Sequence, residues 1–260
     1  NNYKNIIDLW KEKKKSASNA AKQKIFWLHA KLISLAAQKW WDPDLNPSLF
    51  DAIEKAKADN VPNDNITKAI KRWTWEDKDS ALISEIIYEW YWVWWVAVIV
   101  KTLSDNKNRT ASNIRHIFTK YGWNMWESWS VSFIFDKKWL LVIDLEKFSK
   151  DEIEWLVFET DVEDFSFEDN TARVITTVED FIWVKKFFED KSYSFIDASI
   201  SYIPNTTAEV TEFDKALKLT KMFEAFHEDE DVESVYLNMI IDDKLQQEVY
   251  DFIEKNTFRT

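Results

Sequence analysis

The sequence predicts an α+β protein. An N-terminal three-helix domain is followed by two α+β domains, and the third domain, ferredoxin-like, is inserted in the second. Three observations predict this. Before residue 73, apolar residues recur three times at helical spacing, each run set off by proline: Asp42-Pro43, Pro47 and Pro62. From Leu140 to Ile203 the patterns follow the order β-α-β-β-α-β. The strands of residues 85–135 leave a sheet unfinished, and the helix and strand of residues 211–237 would complete it. The predicted boundaries are 1–76 for a basic helical domain, 77–136 with 205–241 for the middle domain, 137–204 for the acidic insertion, and 242–260 for a tail helix.

Residues 1–24 are polar and basic and read as a mobile arm or a loosely held helix. A first helix spans Ile25 to Lys39, with Leu28, Leu32 and Ile33 inward. A second spans Ser48 to Asp59, with Leu49, Ile53 and Ala56 on one face. Pro62 opens a third, with Asn63 as a candidate cap. Residues 76–84 read as a linker, and Glu85–Tyr88 and Val96–Leu103 as strands. Thr110 or Asn108 can cap a helix from about Ala111 to Tyr121. A strand at Ser130–Phe135, a break at Asp136–Trp139 and a strand at Leu140–Asp144 come next. The insertion continues with a helix at Lys150–Glu159, strands at Asp164–Phe167 and Ala172–Thr176, a helix at Val178–Lys191 and a strand at Phe195–Ile203. A helix at Thr211–Phe226, an acidic turn from His227 to Asp231, a strand at Val232–Leu237 and a surface helix after Asp242 end the chain.

Charge is divided unevenly. Residues 1–75 hold 14 Lys and Arg against 8 Asp and Glu, whereas residues 76–260 hold 20 against 38. An acidic body with a basic N-terminal end favours an anionic partner at that end. With no Cys, disulfides and thiolate metal sites are excluded, and a cytoplasmic location is expected. The start lacks the apolar run of a secretion signal, and no apolar segment reaches the ~18 residues of a membrane helix. No phosphate-binding loop, nucleophile elbow or dinucleotide fingerprint occurs, and His29, His116 and His227 lack metal-ligand spacing. The run Glu228–Asp231 reads as solvated. The expectation is a protein without catalysis, cofactor, metal or small-molecule substrate, acting as a monomer.

One count is anomalous. A chain of this size should hold roughly 18 Gly; there is one, Gly122, beside 16 Trp. Turns with positive φ need glycine, because a Cβ clashes there. Several Trp stand where turns are predicted, and four crowd into Tyr88–Val100, YEWYWVWWVAVIV. The expectation is that most or all Trp are glycine in the living protein, from UGA codons that some bacteria read as glycine. The loop residues Trp92, Trp94 and Trp95 should then be solvent-exposed.

With Trp read as Gly, that stretch becomes YEGYGVGGVAVIV. Together with LSDNKNRTASNIRHIFTKYG it resembles the YebC family. KIF at Lys24–Phe26, DPDLNP at Asp42–Pro47, Asn60-Val61-Pro62, Ile66…Ala69-Ile70-Lys71-Arg72 and Tyr202-Ile203-Pro204 add to the resemblance, which spans nearly the whole chain. Departures are the opening Asn1–Leu9, Val93 in place of a frequent Pro, and Phe50 in place of a frequent basic residue. The resemblance implies a three-domain, non-enzymatic regulator of gene expression in the cytoplasm. A DNA-binding transcriptional regulator is the first reading. A ribosome-associated translation activator that contacts RNA is the alternative, and a protein–protein adaptor the second alternative.

The candidate contact residues for nucleic acid are Lys13, Lys14, Lys15, Lys22, Lys24, Lys71, Arg72, Lys107, Arg109 and Arg115. Lysines of the N-terminal stretch would neutralise phosphates and release counterions, or else form a solvated tail. Lys107 and Arg109 sit near a helix N-terminus, where free N–H groups already favour anions. Arg109 and Arg115 could instead pair with nearby carboxylates.

Overall fold

A computed structural model describes residues 19–72, 82–91, 96–122, 131–145, 148–168 and 170–257. Lys13, Lys14, Lys15, the exposure expected of Trp92, Trp94 and Trp95, and most of the 76–84 linker lie outside those residues. The chain forms two compact units, residues 1–131 with 208–260, and residues 132–207.

The first unit begins with the helical bundle. Helix α1 spans Asn19–Ala37, so Lys22 and Lys24 lie on a regular helix rather than on an arm. Helix α2, Pro47–Ala58, opens with Pro at its first position and with Asn46 accepting a hydrogen bond from the Leu49 N–H at 3.2 Å. Asn60, at φ 58°, makes the left-handed turn that follows, a conformation Asn tolerates. Helix α3, Asn63–Lys71, starts without a side-chain cap; Asn63, expected to cap it, is its first residue. Ile33, Leu49 and Ala56 are fully buried between the three helices, and Ala37 and Ala69 are small enough to bring the backbones close.

A hairpin follows: β1, Ser84–Tyr91, pairs antiparallel with β2, Ala97–Ser104, closing at Tyr91 opposite Ala97. Helix α4 spans Lys107–Lys120 and is capped by Asn106, whose side chain accepts from the Arg109 N–H at 3.1 Å. It therefore starts four residues before the expected Ala111. The two residues expected to cap it are helical, and Thr110 turns its hydroxyl inward. After the second unit the chain adds β7 (Ala208–Val210), α7 (Phe213–Glu228), β8 (Val232–Leu237), β9 (Met239–Ile241) and α8 (Asp243–Thr257). Strand β8 pairs antiparallel with β2, giving the order β1-β2-β8, and so completes the interrupted sheet. The parallel pair β7–β9 is too short to show in a pattern of alternation. Helices α4 and α7 bury Phe118, Phe223 and Phe226 in the core of the sheet, and α8 adds Val249 to it. The tail helix is thus seated in a core along one face, not confined to the surface. Inside the sheet, Lys101 bridges Glu85 (3.0 Å) and Glu233 (2.9 Å), which more than offset its burial and raise its pKa. Burial, with the nearby Glu85 carboxylate, still pushes Glu233 above the usual carboxylate range against the pull of Lys101.

The second unit has β3 (Phe135–Asp144), α5 (Lys150–Phe158), β4 (Asp164–Glu168), β5 (Thr171–Thr176), α6 (Phe181–Asp190) and β6 (Phe195–Pro204). The order β-α-β-β-α-β and the antiparallel sheet β4-β5-β3-β6 make it ferredoxin-like. Its core is Leu141, Ile143, Ile153, Val174, Val184 and Phe188. Two expectations are corrected here. Ser132–Ile134 is a 3-10 turn, not part of a strand, and β3 runs unbroken through the polar Asp136–Lys138. That stretch looks like a turn in sequence, but its register with β6, Asp136 to Ile203 and Lys138 to Ser201, keeps it extended.

Nine of the sixteen Trp lie outside the described residues. Of the other seven, Trp27, Trp40, Trp41, Trp155 and Trp183 are exposed, whereas Trp90 stacks on Phe118 and Trp139 on Phe181. None of the seven has positive φ.

Candidate nucleic-acid interface

The predicted contact residues that the structure describes all belong to the first unit, on three helices, and they divide into engaged and unengaged cations. Two are engaged. Lys24, on α1, donates to the backbone carbonyl of His227. Arg109, in the first turn of α4, grips Asp231, with Nη2 at 3.0 Å from both carboxylate oxygens, and reaches Asp105 at 2.9 Å.

Asp231 is the centre of this arrangement. It is 2% exposed and accepts from Lys31 Nζ at 2.7 Å, from Thr110 Oγ1 at 2.7 Å and from Arg109. Lys31 is 4% exposed and also donates to the Glu230 carbonyl at 2.8 Å. Burial alone would raise the Asp231 pKa. The hydrogen bonds from Lys31, Thr110 and Arg109 outweigh it and hold the carboxyl below its usual range. The first of those bonds ties the helical bundle to the sheet. Sequence reasoning treated Glu228–Asp231 as a solvated run and passed over Lys31. The signal for Lys31 was faint: a cation placed between Ala30 and Leu32, on a helix whose neighbouring positions are apolar. His29 makes a further link within the bundle, with Nε2 2.6 Å from Asp59 Oδ2.

Lys22 on α1, Lys68 and Arg72 on and after α3, and Lys107 and Arg115 on α4 make no ion pair among the described residues. Lys71 is exposed at the end of α3 and has other interactions. Lys107 and Arg115 are eight residues apart, which puts them on one face of α4 and about 12 Å apart along its axis. Lys107 stands in the first turn, where unpaired N–H groups also attract anions.

Between α1 and α3 lies a cleft of about 400 Å³. Phe26, Trp27 and Ala30 line it from α1, and Asn65, Lys68 and Arg72 from α3, each set at helical spacing on one face. Lys68, which was not among the predicted contacts, joins Arg72 there one turn away. Among the described residues no three His, Asp or Glu side chains converge as metal ligands, and no helix is long and apolar enough to cross a membrane.

Comparison with known proteins bears on this arrangement. Residues 10–76 match the family model described as the TACO1/YebC protein N-terminal domain, and residues 83–239 match the TACO1/YebC second and third domain. A "probable transcriptional regulatory protein" of Clostridioides difficile is 42% identical over 231 residues, covering 86% of this chain and 95% of that one. One from Finegoldia magna is 39% identical, covering 86% and 93%. The crystal structure of a conserved hypothetical protein from Aquifex aeolicus superposes with a TM-score of 0.79 at 32% identity, covering 88% of this chain and 94% of that one. The bundle, the interrupted sheet and the ferredoxin-like insertion are therefore those of a known architecture, and the chain belongs to the TACO1/YebC family.

Proposed function

We propose that this protein is a non-enzymatic regulator of gene expression of the YebC type that acts by binding nucleic acid through its first unit. The observation that carries the reading is the set of cations that make no ion pair among the described residues, Lys22, Lys68, Arg72, Lys107 and Arg115, on α1, on and just after α3, and on α4 of a chain whose net charge is −12. Such cations gain by neutralising phosphates and releasing counterions. The names of the relatives in Clostridioides difficile and Finegoldia magna point to transcription, which makes DNA the first partner to test. In this reading the protein works as a cytoplasmic monomer without a cofactor. Sedimentation of a lysate on a sucrose gradient tests the partner. Co-migration with DNA supports a transcriptional role, and co-migration with ribosomes supports the translational one.

The translational reading is favoured by one observation, the cleft between α1 and α3, whose volume of about 400 Å³ suits a single nucleotide and not a duplex. An adaptor role has support in the exposed Phe158 and Ile182 of the second unit. Salt separates it from the others: affinity for a protein partner held by these apolar groups stays nearly constant between 50 and 200 mM salt, whereas phosphate binding falls steeply.

We also infer that most or all Trp are glycine in the living protein. The scarcity of glycine and the exposure of Trp27, Trp40, Trp41, Trp155 and Trp183 support this. The gene decides: UGG at the sixteen positions ends the idea.

A further inference from the structure

We infer that the cleft between α1 and α3 holds one unstacked base of a single-stranded nucleic acid, with the flanking phosphates on Lys68 and Arg72. The inference rests on the nucleic-acid reading above and names the site and strand form that serve it. Four features of the cleft carry it.

The first is size and shape. About 400 Å³ lies within the ~300–1,000 Å³ of small-ligand sites, enough for a nucleotide and far too little for a double helix. The second is an apolar wall. Phe26 and Ala30 on α1 face the cleft, and Ile83 closes it from the start of the hairpin. Aromatic rings stack on bases without regard to sequence, at ~1–3 kcal/mol per base. The stacking role is assigned to Phe26, half-buried and so held in place by the bundle, and not to Trp27, which is one of the positions with a glycine reading. Glycine at 27 would widen the mouth and leave Phe26 where it is.

The third feature is polar groups of the right kind. Gln23 and Asn65 line the cleft with amides, which donate and accept and so can meet the edge of a base. The fourth is charge. Lys31 at the inner end is neutralised by Asp231, and Asp105 by Arg109. Lys68 and Arg72, one helical turn apart at the outer rim, make no ion pair among the described residues. On the α3 side of the mouth the two cations are therefore uncompensated among the described residues, beside an apolar wall. A base with its phosphates matches both, a neutral apolar ligand matches only the interior, and a duplex, whose bases are stacked inside, matches only the rim.

The test uses the full chain, a single-stranded RNA 12-mer carrying 4-thiouridine, and a DNA duplex of the same length. Affinities are read by fluorescence anisotropy, and photocrosslinked peptides by mass spectrometry. The expected result is preference for the single strand, crosslinks to the α1 peptide that contains Phe26, and a loss of about tenfold in single-strand affinity in the Lys68→Ala, Arg72→Ala double variant, as for two lost phosphate contacts. Thermal unfolding of that variant should match the parent, since both side chains reach solvent. Crosslinks confined to α4 peptides, with double-variant affinity within twofold of the parent, overturn the cleft and leave nucleic-acid binding intact. Binding of the duplex alone does the same. If neither nucleic acid binds, the cleft and the proposed function fall together.

Discussion

The buried joint around Asp231 and the open cleft beside it use the same residue types to opposite ends. In the joint, Lys31 and Arg109 converge on one carboxylate that is 2% exposed. In the cleft, Lys68 and Arg72 meet no carboxylate among the described residues. A cation in the joint has been taken out of water and is held by its counter-charge. A cation at the cleft is hydrated and has nothing to lose but water when a phosphate arrives. The difference teaches where to look for function in an acidic chain: a cation whose charge the fold already uses stabilises the fold, and a cation left over is available to a partner.

The largest effect should come from the joint. Asp231→Ala leaves Lys31 buried without its counter-charge, which costs about 3–5 kcal/mol when one partner of a buried pair is removed. Urea unfolding measures it, and a loss below ~1 kcal/mol would show that Lys31 escapes to solvent. Lys31→Met should cost less, about 1–3 kcal/mol, because Arg109 and Thr110 still satisfy Asp231. The Lys31→Met, Asp231→Ala cycle should show strong coupling, with the double variant losing less than the sum of the single ones. By contrast, the Lys68→Ala, Arg72→Ala variant of the cleft should stay within about 0.5 kcal/mol of the parent.

The same contrast explains how far the sequence could be read. The β-α-β-β-α-β order and the return of Val232–Leu237 to β2 were visible, because buried strands and amphipathic helices write their period into the chain. The joint was not visible. Its members, Lys31, Ser104, Arg109, Thr110 and Asp231, come from four separate segments, and a buried carboxylate in the run Glu228–Asp231 looks like any solvated one. Thr110 shows the cost: Thr110 and Asn108 both suit a cap, so the sequence predicts a start near Ala111, whereas Lys107 to Thr110 already form the first turn of α4. Of the cleft, Arg72 was found from its charge. Lys68, also visible as a charge one turn earlier on the same helix, was not among the expected contacts, because the cleft that it shares with Arg72 appears only when α1 packs against α3.

Acid should weaken the joint in a defined window. The Asp231 pKa is lowered in the folded chain, so its contribution is fully present above the unfolded value of about 3.9 and is lost as pH falls below that, through the lower folded value. Glu233 works the other way. Its raised pKa gives a contribution present below the unfolded value of about 4.3 and lost as pH rises through the folded one. The difference in stability between the parent and Asp231→Ala isolates the first effect. It should hold constant from pH 7 to about 5 and shrink below about 4. A constant difference down to pH 2 would show that Asp231 has the same pKa in the folded and unfolded chain.

The smallest stability change should come from the α4 face, and it separates Arg115 from Arg109. Arg115 and Lys107 are exposed and make no ion pair among the described residues, so Lys107→Ala with Arg115→Ala should leave unfolding within about 0.5 kcal/mol of the parent. Arg109→Ala should instead lower stability, since it removes a two-oxygen grip on Asp231. If α4 lies along a backbone, each lost phosphate contact lowers the slope of log affinity against log salt by about 0.9 on duplex DNA and about 0.7 on a single strand. The double variant should therefore flatten the slope by roughly 1.8 or 1.4. An unchanged slope would remove α4 from the interface, and leave the unengaged cations of α1 and α3 to carry the binding.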